Sequence, residues 1–176
     1  MKKVRVATTW LDGCSGCHMS LLDCDAAVIS LAGRIELVYG PLVDAQEFPE
    51  SVDVTLVEGA VSSVEDMHKI QTIRQQSHLV VALGDCAVTG NVPSMRNTIP
   101  VSQLLNRVYV EDADEGKTIP TDGVPTLMKH ARPLQEFVKV DIYIPGCPPP
   151  AQAILSVVSD LLDGRKPQLN PKAKWG

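Results

Sequence analysis

"KVRVATTWLDGCSGCHMSLLDCD", residues 3–25, contains the change of period that sets the architecture. Its first seven residues are rich in β-branched side chains, as a strand requires. After Asp12 the chain turns through a glycine-rich loop carrying Cys14 and Cys17, and a helical pattern follows. Leu21, Cys24, Val28 and Leu31 share one face of that helix, with Leu22 and Ile29 beside them, and Gly33 is placed to stop it. A strand that feeds a helix through a short loop is half of a βαβ unit.

The pattern repeats outward from there. Further β-branched runs are "RIELVY" at 34–39, "VDVTLV" at 52–57, "HLVVAL" at 78–83 and "VDIYI" at 140–144. Between the third and fourth, Ser62-Ser63-Val64-Glu65 reads as a capping box in which the Ser62 hydroxyl and the Glu65 carboxylate bond each other's backbone amides. Val64, Met67, Ile70 and Ile73 form the stripe of the helix it opens. A last helix follows "PGCPPP" at 145–150, with Ala151, Ile154, Leu155, Val158, Leu161 and Leu162 on one face and Gly164 at its end. Strands alternating with helices predict an α/β fold: a doubly wound, flavodoxin-like, mostly parallel five-stranded sheet with helices on both faces. Residues 1–176 read as a single domain, with a long insertion at about 84–139 and an exposed C-terminal arm at 164–176. Connections as long as that insertion are uncommon in a compact domain unless they carry function or an interface.

Composition narrows the chemistry. A chain of 176 residues, 44% hydrophobic, buries enough surface to fold without disulfides. Its net charge of −5 provides no footprint for nucleic acid or an anionic membrane surface. No apolar run approaches the roughly 20 residues of a membrane span. "MKKVRVATTW" resembles neither a secretory signal nor a twin-arginine leader, so a cytoplasmic location is expected. Thiols stay reduced there, and cysteines are read first as metal-binding, catalytic or buried.

Four of the five cysteines occupy one kind of place. Cys14 and Cys17 follow the first strand, Cys86 follows the fourth in "VVALGDCAVTG", and Cys147 follows the fifth in "DIYIPGCPPP". The carboxyl ends of parallel strands lie along one edge of an open sheet, so these four thiols should converge there. Glycine or proline flanks each of them, which allows backbone to approach a bulky inorganic group and its amides to donate to sulfur. Four thiolates suit either a zinc ion or an iron–sulfur cluster. One C-x2-C pair completed by two single cysteines from distant strands favours the cluster, because structural zinc usually takes two paired knuckles. Cys24 lies on the apolar stripe of the first helix and reads as packing.

"CSGC" with the "SLL" after it, "VEGAV", "GDCAVTG" and "PGCPPP", in that order over nearly the whole chain, resemble the small subunits of nickel-iron hydrogenases and, more distantly, the cluster subunit of respiratory complex I. The opening stretch most resembles the soluble, NAD-reducing type. This resemblance implies that Cys14, Cys17, Cys86 and Cys147 hold one proximal 4Fe-4S cluster as cofactor. It also implies a large partner subunit with the nickel-iron centre and a diaphorase partner with further clusters and FMN. The expected role is electron transfer within a hydrogenase, with no catalytic centre in this chain. The C-x2-C pair departs from the adjacent cysteines expected of complex I subunits, and Met19 stands where hydrogenase relatives often carry a carboxylate.

Other candidate residues stand beside these. Glu58 ends the third strand near the expected cluster edge and is a candidate proton relay or bond to the large subunit, against the alternative of a solvated strand-end acid or cap. His18 follows Cys17 and could bond cluster sulfur or face a partner. Asp12 and Asp85 sit close to ligand cysteines and could tune the local field, although a surface loop acid is the commoner explanation. No two of His68, His78 and His130 have metal-ligand spacing. A flavin in this chain is disfavoured: "WLDGCSGC" is no hydroxyl-rich phosphate cradle, and beyond Trp10 and Tyr39 there is little aromatic surface to sandwich the ring.

Overall fold

The computed structural model describes residues 3–167. The chain opens with β1 (Val4–Trp10), α1 (Gly16–Leu22), α2 (Ala26–Ala32), β2 (Ile35–Tyr39), β3 (Val52–Glu58), β4 (Val61–Ser63), α3 (Val64–Gln76) and β5 (Ser77–Leu83). There follow α4 (Asp85–Thr89), α5 (Asn91–Ser94), α6 (Val101–Asn106), β6 (Leu127–Arg132), β7 (Ile142–Ile144) and α7 (Ala151–Leu162). Five strands form one sheet in the order β2-β1-β3-β5-β7, and every pairing in it is parallel. This is the doubly wound order expected from the alternating pattern, with the sheet's switch point beside β1.

Both faces of the sheet are covered, and strand periodicity separates the two layers. Val57, Val80 and Ala82 point to one core with Ile70 and Ile73 of α3 and Leu134. Leu56, Val81 and Leu83 point to the other, with Ile154 and Val157 of α7 and Cys17 of α1. Successive residues of β5 thus serve opposite layers, so the strand reads as an unbroken apolar run. On α7 the stripe runs through Val157, which the sequence reading omitted from its face.

Several expectations shift. The first helix is two helices: the chain breaks after Leu22, and Asp25 takes φ 47° before α2 begins. Gly33 ends α2 with φ −68°, so it is not the left-handed stop that its type suggests. The capping box lies one residue later than read, because β4 keeps the chain extended through Ser63. Asp66 N–H donates to Ser63 Oγ at 3.0 Å, and Ser63 N–H donates to Asp66 Oδ2 at 3.0 Å. Glu65 instead accepts from Thr126 N–H. The fifth sheet strand is shorter than read, and the Asp141 side chain extends its pairing by accepting from Val80 N–H at 2.9 Å.

Residues 84–139 hold regular elements on both sides of a connection at 112–126 that carries neither helix nor strand. They supply α4, α5, α6 and β6, and β6 pairs antiparallel with β4 in a second, two-stranded sheet. That pairing opens between its ends, and Arg96 fills the gap by donating to Ser62 O and Met128 O. Asn97 exchanges two bonds with the Ala131 backbone and pins the same element. The C-terminal arm lies outside the described residues beyond residue 167.

Candidate metal centre

The carboxyl edge of the sheet gathers the cysteine loops as β1, β5 and β7 end. Beyond Trp10, Leu11 N–H donates to Glu58 O, and Asp12 and Ala60 form a two-bond antiparallel bridge. Gly59 makes this approach possible: a Cβ there would lie 2.8 Å from the carbonyl carbon of Leu11, and its φ is +91°. The backbone then delivers exposed Cys14 and buried Cys17 to the edge. Beyond β5, Gly84 N–H donates to Ile144 O and Asp85 N–H to Gly146 O, so the loops carrying Cys86 and Cys147 leave the sheet side by side.

Cys17 points at the β5 exit. A side chain on Gly84, at φ +83°, would place its Cβ 2.2 Å from Cys17 Sγ. Burial pushes the Cys17 thiol well above the ordinary cysteine range, and Glu58, Cys86, Cys14 and Cys147 push it further by repelling a thiolate. Burial also raises Cys86, offset by a bond from Val92 N–H and reinforced by Cys147, Cys14 and Glu58. The four thiols therefore share one electrostatic site, spread from the buried Cys17 and Cys86 to the exposed Cys14 and Cys147. Among the described residues no three His, Cys, Asp or Glu side chains are grouped to hold a single metal ion.

Two buried carboxylates brace the loops. Glu58 is 1% exposed, and its Oε2 accepts from His18 N–H at 3.1 Å and sits 2.5 Å from His18 Nδ1. Ser15 at the start of α1 provides no side-chain cap, so Glu58 from β3 caps that helix across space. As between a solvated acid and a cap, the geometry of Glu58 is that of a cap. Asp85 is 4% exposed and accepts from Gly146 N–H at 2.7 Å, which corrects its reading as a surface loop acid. Nothing in the residue type distinguishes it from a solvated acid; only its pairing with a loop 61 residues away does.

The remaining candidates fall into place around this edge. His18 packs its ring edge-on against Trp10, and among the described residues its buried Nε2 has no hydrogen-bond partner. Asp12 takes part through its backbone. Met19 is 59% exposed. Cys24 is half-buried and its thiol donates to Ala151 O at 3.3 Å, while Ser20, one turn earlier, donates to Pro149 O. These two bonds join α1 to the start of α7, so Cys24 packs a helix junction. Tyr39 sits edge-on to Phe48 and Trp10 to His18, each engaged with a neighbour of its own. His68 and His78 are exposed in α3 and β5, and His130 lies half-buried on β6.

Residues 14–161 match the family model described as NADH ubiquinone oxidoreductase, 20 Kd subunit. The chain belongs to this family. Among curated relatives, a subunit of the F420-non-reducing hydrogenase vhu of Methanocaldococcus jannaschii is 42% identical over 171 residues, covering 96% of this chain and 59% of the relative. The NAD-reducing hydrogenase HoxS subunit delta of Cupriavidus necator is 36% identical over 168 residues, covering 93% of this chain and 80% of that one. The chain thus spans about three-fifths of the length of the first of these. A chain in the crystal structure of an NAD+-reducing NiFe hydrogenase in the H2-reduced state superposes with TM-score 0.94 at 37% identity, over 98% of both chains. A NiFeSe hydrogenase of Dm. baculatum, at 20% identity and TM-score 0.61, shares the fold. The family assignment and the α/β architecture both agree with the sequence reading.

Proposed function

We propose that this chain is the electron-transfer subunit of a nickel-iron hydrogenase and holds one 4Fe-4S cluster through Cys14, Cys17, Cys86 and Cys147. The observation that carries this reading is the convergence of four thiols from three strand ends on one sheet edge. Four thiols brought to one edge by separate loops suit a group whose metal corners stand several ångströms apart. The donor set also fits in charge, since thiolates that repel one another need a cationic core to coexist. When bound, such a cluster stores and releases one electron at a time.

The chain's own residues bind and orient. Gly84 leaves room for Cys17, the Val92 amide donates to the Cys86 sulfur, and the sheet layers keep water from Cys17 and Cys86. Glu58 holds the start of α1, and with it Cys17. A separate proton-relay role for Glu58 is part of the proposal, with His18 as its immediate partner. The exposed thiols Cys14 and Cys147 mark the side on which a large subunit with the nickel-iron centre would dock. Electrons would leave to a diaphorase with its own clusters and FMN, in the cytoplasm; FMN in this chain is not part of the proposal. Among the described residues no helix is long and apolar enough to cross a membrane.

The end-to-end likeness to a chain of an NAD+-reducing NiFe hydrogenase supports NAD+ as the final acceptor. The 42% identity to an F420-non-reducing hydrogenase subunit supports a second reading, the same cluster role with another acceptor. Hydrogen-dependent reduction of NAD+ and of a viologen dye by the purified complex separates the two. Cys86→Ser and Cys147→Ser should abolish both activities, whereas Cys24→Ser should keep most of each. Loss of bound iron in Cys24→Ser would contradict the ligand assignment. Dye reduction without NAD+ reduction would favour the second reading.

A further inference from the structure

Asp85 stands between Gly84 and the Cys86 ligand position and is nearly fully buried. Its backbone N–H donates to Gly146 O at 2.9 Å, and its Oδ1 accepts from Gly146 N–H at 2.7 Å. Gly146 in turn precedes Cys147. Two reciprocal bonds therefore join the residues immediately before two of the four thiols, beyond the point where β5 and β7 stop pairing.

The surroundings show why a side chain is needed there. β7 is only three residues long and forms the edge of the sheet. The loop after it folds tightly on itself, since a Cβ on Gly146, at φ +134°, would lie 2.6 Å from Pro149 Cα. The buried Gly146 N–H would lose its partner without Asp85 Oδ1.

We propose that Asp85 is a positioning residue for the cluster, fixing the separation of the Cys86 and Cys147 thiols through its bond to Gly146. This inference rests on the reading of those cysteines as ligands. The test uses the full chain, purified anaerobically in its holo form and challenged with a chromogenic ferrous chelator. Asp85→Ala and Asp85→Glu, which remove or displace the accepting oxygen, should release iron about ten-fold faster or more, as loss of a supporting partner around metal ligands does. Asp85→Asn keeps an oxygen for Gly146 and should release iron at the wild-type rate. The paramagnetic resonance of the reduced protein should change shape in Asp85→Ala and not in Asp85→Asn.

Thr55→Val controls for general loosening. Thr55 Oγ1 pairs with Ser77 Oγ at 2.7 Å, buried toward the opposite end of the sheet, and its loss should leave iron release unchanged. Wild-type iron release from Asp85→Ala overturns the proposal. So does release from Asp85→Asn as fast as from Asp85→Ala, because charge rather than the bond would then be responsible. A wild-type chain that carries no iron contradicts the ligand reading itself, and this proposal with it.

Discussion

At the scale of the residue, small side chains and hidden bonds define the cysteine edge. Gly84 is the sharpest case, because any side chain would occupy the space of Cys17 Sγ and would also have to adopt φ +83°. Gly84→Ala should therefore lose most of its iron while far-UV circular dichroism stays close to wild type. Full iron content in that variant would mean that Cys17 does not ligate from this position. The cysteines and their flanking glycines were legible in the sequence because their types already carry the chemistry. Asp85 and Glu58 were visible as residues near the site but not as braces. An acid that accepts a tertiary hydrogen bond has the same local pattern as one in water.

At the scale of the element, side chains complete what short strands leave unfinished. Asp141 lengthens β7 by accepting from the Val80 amide, and Arg74 pairs with the same carboxylate. Burial opposes its charge, but the Val80 amide and Arg74 outweigh that and hold its carboxyl below the usual carboxylate range. A pKa lower in the folded than in the unfolded chain stabilises fully above the unfolded value of about 4 and loses that contribution as pH falls through the lower folded value. Asp141→Ala should cost about 1–3 kcal/mol by leaving the buried Val80 amide without this acceptor. Urea unfolding at pH 7 measures that cost, and the difference between variant and wild type should shrink as the pH falls below about 4. An unchanged midpoint would show that the latch contributes nothing.

Element boundaries were less legible than element types, and the reasons are local. A strand too short to show a period, β4, moved the cap of α3 from Ser62 to Ser63. The break between α1 and α2 has no proline or glycine to announce it; it comes where Cys24 and Ser20 bond the start of α7. Likewise, β6 lies within 84–139 without β-branched alternation, and it is held to β4 through Arg96 and Asn97, partners that no nearby sequence indicates.

At the scale of the whole molecule, topology does the gathering. Parallel strands in the order β2-β1-β3-β5-β7 bring residues 14, 17, 86 and 147 to one edge, and their burial grades from the core outward. The sheet, its two layers and that edge followed from the alternation of strand and helix patterns, which is why the doubly wound fold was legible in the chain itself. This edge keeps two thiols buried and leaves two exposed, an arrangement that suits the proposed passage of electrons across an interface.

The most direct test of the central claim is the metal and sulfide content of the full chain purified anaerobically. One cubane at this edge predicts about four irons and four acid-labile sulfides per chain, with negligible zinc and flavin. One zinc per chain with neither iron nor sulfide would contradict it.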